Sequence, residues 1–106
     1  MQLITKEIME NFKKIGRQEK IEPKDVICVV KYFDPTGSWT WYATELDPED
    51  NDTFFGLVDG FELEWGTFSL EELKSVRGPF GLGIERDLYC GTPKKLSEFI
   101  ALKGRL

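Results

Sequence analysis

Segments typical of β-strands alternate with turn-forming residues through the middle of the chain, and this pattern constrains the fold most strongly. Residues 26–33 are β-branched and aromatic and are apolar on both faces at their start, which is typical of a central strand. Residues 38–46 and 53–58 follow as further strands, and a fourth strand begins at Phe61. The sequences at 34–37 (Asp-Pro-Thr-Gly) and 59–60 (Asp-Gly) favour tight reversals, so the four strands are predicted to form two hairpins.

The lengths of the two turns predict which residues face each other. A four-residue turn at 34–37 places Tyr32 opposite Trp39 and Val30 opposite Trp41. A two-residue turn at 59–60 gives the second hairpin one buried face, made of Phe54, Val58, Phe61, Leu63 and Trp65. The other face then carries Phe55, Leu57, Glu62 and Glu64. Phe68 falls out of phase with Trp65, which predicts a β-bulge at 66–67.

Helical patterns precede and interrupt the strands. An apolar stripe at helical spacing, with Thr5 as N-cap and Gly16 as the C-terminal residue, is formed by Ile4, Ile8, Phe12 and Ile15. Residues 17–25 are polar and are interpreted as a linker. Ser69 and Glu72 have the spacing of a capping box, which predicts a short helix that buries Leu70, Leu73 and Val76.

The last third of the chain is predicted to add one strand and one helix. Residues 84–90 have the composition of a fifth strand. Thr92 followed by Pro93 is typical of a helix start, and the helix is predicted to run through Leu96, Phe99, Ile100 and Lys103 to Gly104. The expected fold is α+β, an antiparallel sheet of about five strands (two hairpins plus one) with N- and C-terminal helices and one short internal helix. A length of 106 residues suits a single domain over 1–106.

Composition excludes several classes of function. The chain has no His, which removes mechanisms that need an imidazole. Its formal net charge of −5 argues against direct nucleic-acid binding, which needs a basic face. Residues 1–8 do not resemble a signal peptide, and no apolar run is long enough to span a membrane, so we expect a cytoplasmic protein. Cys28 and Cys90 are then expected to be reduced thiols.

Acidic residues are concentrated in the middle of the sequence. The segment from Tyr32 to Leu73 contains eleven Asp and Glu residues and no Lys or Arg. Ten of the 14 aromatic residues also lie between Tyr32 and Phe68. This pattern has two interpretations, a hairpin-rich sheet kept soluble by carboxylates or an acidic, aromatic-rich surface for a basic protein partner.

Candidate sites for chemistry are few. Asp47 and Asp50 belong to an acidic loop at 47–52 whose spacing does not match an EF-hand, so we expect no metal site there. The glycine-rich loop at 78–83, flanked by Arg77 and Arg86, lacks the pattern of a phosphate-binding loop and is interpreted as a connection, although anion binding stays open. Arg86, between Glu85 and Asp87, is expected to form a local ion pair or hydrogen bond, and no cofactor is expected.

Several strings of residues resemble one family. They lie at 29–33, 41–50, 55–59, 68–73, 76–82, 84–89 and 93–97, with Leu-Ile-Thr at 3–5. In this order they resemble an uncharacterised bacterial family catalogued as domain of unknown function 2958. The resemblance implies a small bacterial protein, often encoded on plasmids and other mobile elements, with no established activity or catalytic residues. Tyr89 stands where the family often has His, and Gly83 replaces a common Pro.

The leading hypothesis is a non-enzymatic protein-interaction domain that uses an acidic, aromatic-rich sheet surface. Its candidate binding residues are Phe55, Leu57, Glu62, Glu64, Asp47, Asp50, Arg77 and Arg86. One alternative is an enzyme that uses carboxylates with Arg77 or Arg86. Another is an acidic DNA mimic that inhibits a host defence protein, although the basic ends of the chain count against it. The sequence does not indicate an oligomeric state.

Overall fold

The computed structural model describes residues 1–100, apart from the side chain of Pro79. Two α-helices lie in this part of the chain, α1 (Lys6–Ile15) and α2 (Leu70–Ser75). The strands are β1 (Ile27–Cys28), β2 (Val30–Phe33), β3 (Thr40–Leu46), β4 (Thr53–Asp59), β5 (Leu63–Ser69), β6 (Glu85–Arg86) and β7 (Lys94–Lys95). Short 3₁₀ turns are formed by Pro23–Asp25, Pro79–Gly81 and Leu96–Glu98.

The architecture is α+β and is built on an antiparallel sheet. Five strands lie in the order β5-β4-β3-β2-β6, and β1 and β7 form a separate two-stranded sheet. The predicted class and the two hairpins are therefore confirmed. Within residues 1–100, neither helix has the length and the apolar character that crossing a membrane requires.

Local capping signals place both helices correctly. The Thr5 hydroxyl accepts a hydrogen bond from the Ile8 N–H at 3.1 Å, and Gly16 ends α1 with a φ of 69°. The Ser69 hydroxyl likewise accepts from the Glu72 N–H at 2.9 Å, which starts α2. Leu70 and Leu73 are buried as predicted. Val76 is exposed because α2 ends one residue earlier.

The register of the first hairpin differs from the prediction by two positions. Tyr32 lies opposite Trp41 and Val30 lies opposite Ala43, because residues 34–39 rather than 34–37 link the strands. The Asp34 N–H donates to the Trp39 carbonyl at 3.0 Å and closes this longer loop. A shift of two positions keeps every side chain on its predicted face.

The predicted register of the second hairpin is wrong by three positions. Because three is an odd number, the side chains of β5 lie on the other face relative to those of β4. Leu57 lies opposite Trp65 and Val58 opposite Glu64, since residues 60–62 link β4 to β5. Phe61 belongs to this link and is 93% exposed instead of buried. The predicted bulge at 66–67 is also wrong, because β4 and β5 pair without a shift; the register shift lies between Ala43 and Glu45 of β3.

Hydrophobic side chains are buried on both faces of the sheet. On the first face, Phe54 and Phe68 pack with Phe12 of α1 and with Leu70 and Leu73 of α2 in the larger cluster. On the second face, the smaller cluster consists of Cys28, Tyr42, Leu57 and Leu96, with Leu63, Trp65, Phe99 and Ile100 packed against it. The chain following β6 therefore returns to cover the face that the sequence analysis left open.

The other predicted elements are shorter or different. The strand at 26–33 is divided at Val29 into β1 and β2, and the strand at 84–90 is reduced to β6. Residues 94–95 are extended and pair with β1, so the helix predicted from Pro93 is wrong at its start. The Leu96 N–H donates to the Val26 carbonyl at 2.8 Å, which fixes this segment on β1. The rest of the predicted helix, including Lys103 and Gly104, lies outside the described residues.

A buried glutamine joins the segment interpreted as a linker to the sheet. Gln18 is 6% exposed, and its side-chain N–H groups donate to the carbonyls of Ile27 and Thr44, each at 2.8 Å. Its side-chain oxygen accepts from the Ile27 N–H at 2.7 Å. Both ends of the amide are thereby satisfied, as burial of a polar group requires.

Candidate functional site

The acidic segment, from Tyr32 to Leu73, forms the part of the five-stranded sheet that ends at β5. Its strands β3, β4 and β5 are neighbours in the sheet order. Six of its carboxylates are exposed, and we call them the acidic surface: Glu49, Asp50, Glu62, Glu64, Glu71 and Glu72. Within residues 1–100, none of these six forms an ion pair; Glu45 of the same segment pairs with Arg17 at 3.7 Å. The acidic surface therefore carries uncompensated negative charge.

The carboxylates of the 47–52 loop shape the loop itself. The Asp50 carboxylate accepts from the Asp52 and Thr53 N–H groups and from the Thr53 hydroxyl, at 2.7–2.9 Å. These hydrogen bonds, those from Thr53 foremost, hold the pKa of Asp50 below its usual value. Asp47 accepts from the Glu49 N–H at 2.9 Å. Within residues 1–100, three or more acidic or Cys side chains nowhere gather in a geometry that could hold a metal ion.

The structure separates the four hairpin residues that the sequence predicted on one face. Leu57 is fully buried in the smaller cluster, so it is unavailable to a partner and its predicted role is wrong. Phe55 lies on the same face and is 39% exposed. Glu64 lies on the other face of the hairpin, where it pairs with Val58. Glu62 is exposed in the link between β4 and β5. The three accessible residues nevertheless lie on or beside the β4–β5 hairpin.

The outer side of β5 is the feature that unites the accessible candidates. We call it the β5 edge, because β5 ends the sheet order and pairs with β4 alone among the described strands. Glu62 precedes β5, Glu64 lies within it, and Glu71 and Glu72 follow it. On the other face, Trp65 stacks on Phe55 with ring centroids 5.7 Å apart. The β5 edge thus combines Glu64 on one face with an aromatic pair on the other, and further acidic residues lie before and after the strand.

The glycine-rich loop next to Arg77 makes its hydrogen bonds internally. The Gly78 N–H donates to the Leu82 carbonyl at 2.7 Å, and the Gly81 N–H donates to Gly78 at 3.1 Å. One Arg77 nitrogen, Nη1, donates to the carbonyls of Lys74 and Val76 at 2.6 and 2.7 Å. Arg77 also lines a groove of about 820 Å³ between the N-terminal residues and α2. These contacts support the interpretation of the loop as a connection.

Arg86 does not form the local ion pair that the sequence predicted. Asp87 pairs instead with Lys31, at 3.2 Å between Nζ and Oδ2. Arg86 lies opposite Tyr32 in β2, and its Nε is buried without a hydrogen-bond partner within residues 1–100. The Tyr32 hydroxyl donates to the Leu3 carbonyl at 2.7 Å, so its hydrogen bond is made with the N-terminal segment. Arg86 and Arg77 therefore belong to different surroundings from the β5 edge.

A groove of about 480 Å³ separates the C-terminal end of α1 from the 47–52 loop. Apolar lining comes from Met9, Phe12 and Leu46, whereas Lys13 and Asp47 bring opposite charges to it. Its volume lies in the range of small-molecule sites, which is about 300–1,000 Å³. Sequence reasoning missed this groove because it depends on how α1 lies against the end of the β3–β4 hairpin.

Taken together, the fold is α+β, with an antiparallel sheet that ends at β5, a strand that pairs with β4 alone among the described strands. The sequence model of the family described as "Protein of unknown function (DUF2958)" matches residues 3–105, nearly the whole chain. The chain therefore belongs to this family, as its resemblance implied. No curated protein and no solved structure matches the chain.

Proposed function

We propose that this protein is a non-enzymatic interaction domain that binds a basic protein partner through the acidic surface. The observation that carries the proposal is the uncompensated charge of this surface beside exposed aromatic groups. A surface of one sign attracts an oppositely charged partner and accelerates association, and the attraction weakens with salt. Aromatic side chains such as Phe55 and Trp65 supply contact area, as they do at many protein interfaces.

The packing of the hairpin supports the β5 edge as the proposed binding surface. Leu57 and most of the smaller cluster are covered by residues 94–100, so the second face offers little beyond Phe55 and Trp65. Glu62 and Glu64 remain exposed along the same edge, Glu64 on the other face of the sheet. These two carboxylates are the residues whose change should affect partner binding most and stability least.

A peptide-display selection followed by calorimetric titration tests this proposal. Random 12-residue peptides selected on the folded protein should be rich in Lys and Arg. Reversal of two charges, Glu62→Lys with Glu64→Lys, should weaken a selected peptide by about tenfold or more, because the attracting charge becomes repulsive. Reversal of two exposed acids outside the acidic segment, Glu10→Lys with Glu22→Lys, is the matched control and should change affinity about threefold or less. Equal weakening by both pairs, or selected peptides without basic residues, would contradict the proposal.

A further inference from the structure

The backbone of β5 presents alternate residues to the open side of the sheet. The Gly60 N–H donates to the Glu62 carbonyl at 3.1 Å, which makes these residues a hydrogen-bonded pair at the start of the β4–β5 ladder. In an antiparallel ladder, hydrogen-bonded pairs alternate with pairs whose N–H and C=O groups point outward. The ladder is unshifted from Asp59–Leu63 to Thr53–Ser69. The backbone groups of Leu63, Trp65 and Thr67 therefore point away from β4.

Apart from the charge of Glu64, the β5 edge lacks the devices that usually prevent another strand from pairing. β5 is seven residues long, contains no Pro and no Lys, and has no bulge against β4. Within residues 1–100, its only strand partner is β4, and Thr67 within it is exposed. By contrast, β6 at the other end of the sheet has only two residues, and its Arg86 N–H lies 3.1 Å from the Met1 sulfur. Among the edge strands of the described residues, only β5 is thus long and regular enough to accept an added strand.

The side chains beside the β5 edge define what an added strand should carry. Residues of an added strand project alternately to the two faces of the sheet, next to the β5 residues that they oppose. On the first face they would meet Glu64 and the open space above Gly66, where a Cβ atom would contact nothing within 4 Å. On the second face they would meet Leu63 and Trp65, with Phe55 stacked behind.

We propose that the partner binds as an extended segment that adds a sixth strand to the sheet along the β5 edge, with Lys or Arg alternating with apolar residues. The basic residues lie on the face of Glu64, and the apolar residues lie on the face of Trp65. Main-chain hydrogen bonds to Leu63, Trp65 and Thr67 provide the alignment, and the alternate side chains provide the specificity. This inference rests on the proposed function and specifies its partner.

Amide hydrogen exchange, measured residue by residue with and without a selected basic peptide, tests the added strand. In the free protein, the amides of Leu63, Trp65 and Thr67 should exchange much faster than those of Glu64 and Gly66, which bond to β4. Saturating peptide should slow the three outward amides by about tenfold or more and leave the two inward amides nearly unchanged. Slow exchange of the outward amides in the free protein would show that the edge is already paired, by a second copy if the effect grows with protein concentration, and would overturn the inference.

A pair of variants at Thr67 provides a second test. Thr67→Pro removes an outward N–H without removing a bond to β4, whereas Thr67→Val keeps the N–H and the strand preference. The Pro variant should bind the peptide about tenfold or more weakly and the Val variant about as well as the parent, because only the former loses an intermolecular hydrogen bond.

If the Pro variant fails to fold, two peptides methylated at alternate backbone nitrogens replace it, one at the even and one at the odd positions. Only one of these two peptides is expected to bind more weakly than the unmethylated peptide. Peptide binding that depends on Glu62 and Glu64 but ignores Thr67→Pro or the methylation pattern would overturn strand addition and leave the proposed function intact. Absence of binding by every basic peptide would remove both.

Discussion

The rings of Phe55 and Trp65 lie parallel, with 5.7 Å between their centroids and 2° between their planes. They project from neighbouring strands, and Phe55 lies directly opposite Thr67, so the stacked pair is a diagonal contact across the β4–β5 ladder. Such aromatic pairs contribute about 0.5–1.5 kcal/mol beyond the burial of their surface. The stack holds Trp65 against the sheet beside the open edge, where an added apolar side chain would meet an ordered aromatic surface.

The buried position of Leu57 makes a large cost the expected result of its truncation. Leu57→Ala should lower the free energy of unfolding by about 2–5 kcal/mol, because it opens a cavity in the smaller cluster. Leu82, which is 45% exposed, is the control, and Leu82→Ala should cost less than about 1 kcal/mol. Urea denaturation measures both, and equal losses would show that Leu57 is not part of a core.

The Gln18 amide should be important to stability although it is polar. Gln18→Leu would leave the Ile27 N–H and the carbonyls of Ile27 and Thr44 without their partner. The expected loss is about 2 kcal/mol or more, since a buried unsatisfied group costs about 1–3 kcal/mol. Gln2→Leu, at an exposed position, should change stability by less than about 0.5 kcal/mol. Thermal or chemical denaturation that ranks the two variants equally would contradict the buried placement of Gln18.

The two thiols should differ in reactivity. Cys28 is fully buried, and this burial raises the pKa of its thiol above the ordinary range, so little thiolate forms at neutral pH. Cys90 is only half-buried. An aromatic disulfide reagent should therefore release about one equivalent from the native protein and two after denaturation. Cys90→Ser should abolish the native reaction, and a rapid reaction of that variant would show that Cys28 is accessible.

Stability should fall at alkaline pH through Tyr42. Burial foremost, with the nearby negative charge of Asp59, raises the pKa of Tyr42 to about 12. The unfolded chain ionises this phenol near its usual pKa of about 10, so ionisation favours the unfolded state as the pH rises from about 10 to 12. Tyr42→Phe should reduce this loss by about 1–2 kcal/mol at pH 12, whereas Tyr89→Phe, at a 94% exposed position, serves as the control. Identical alkaline unfolding of the parent and Tyr42→Phe would contradict the expected shift.

Local signals were sufficient for α1, α2 and the two hairpins, but not for the helix predicted after Pro93. Thr5 and Ser69 cap their helices through hydrogen bonds to residues three positions away, which a sequence pattern detects. The register of the second hairpin depends instead on whether two or three residues form the turn. Trp39 packs so closely over Gly60 that a Cβ there would lie 2.5 Å from its ring. Its ring is also nearly perpendicular to that of Phe61, with 5.3 Å between the two centroids. This contact between two loops favours a three-residue link, and an odd change in link length exchanges the faces.

Long-range contacts explain the other differences. Thr92-Pro93 resembles a helix start, but the next two residues pair with β1, more than sixty positions away. Gln18 looked like part of a polar linker because nothing nearby in the sequence shows that its partners are Ile27 and Thr44. The candidate site was found only in part for the same reason. Glu62, Glu64 and Phe55 were chosen from the predicted second face of the hairpin, whose register is wrong, whereas the role of Thr67 required knowledge of which strand ends the sheet.

A structure of the protein bound to a selected basic peptide tests the central claim most directly. The account predicts an extended peptide beside β5, with its backbone hydrogen-bonded to Leu63, Trp65 and Thr67 and its basic side chains on the face of Glu64. A peptide bound elsewhere, such as in the groove between α1 and the 47–52 loop, would contradict it.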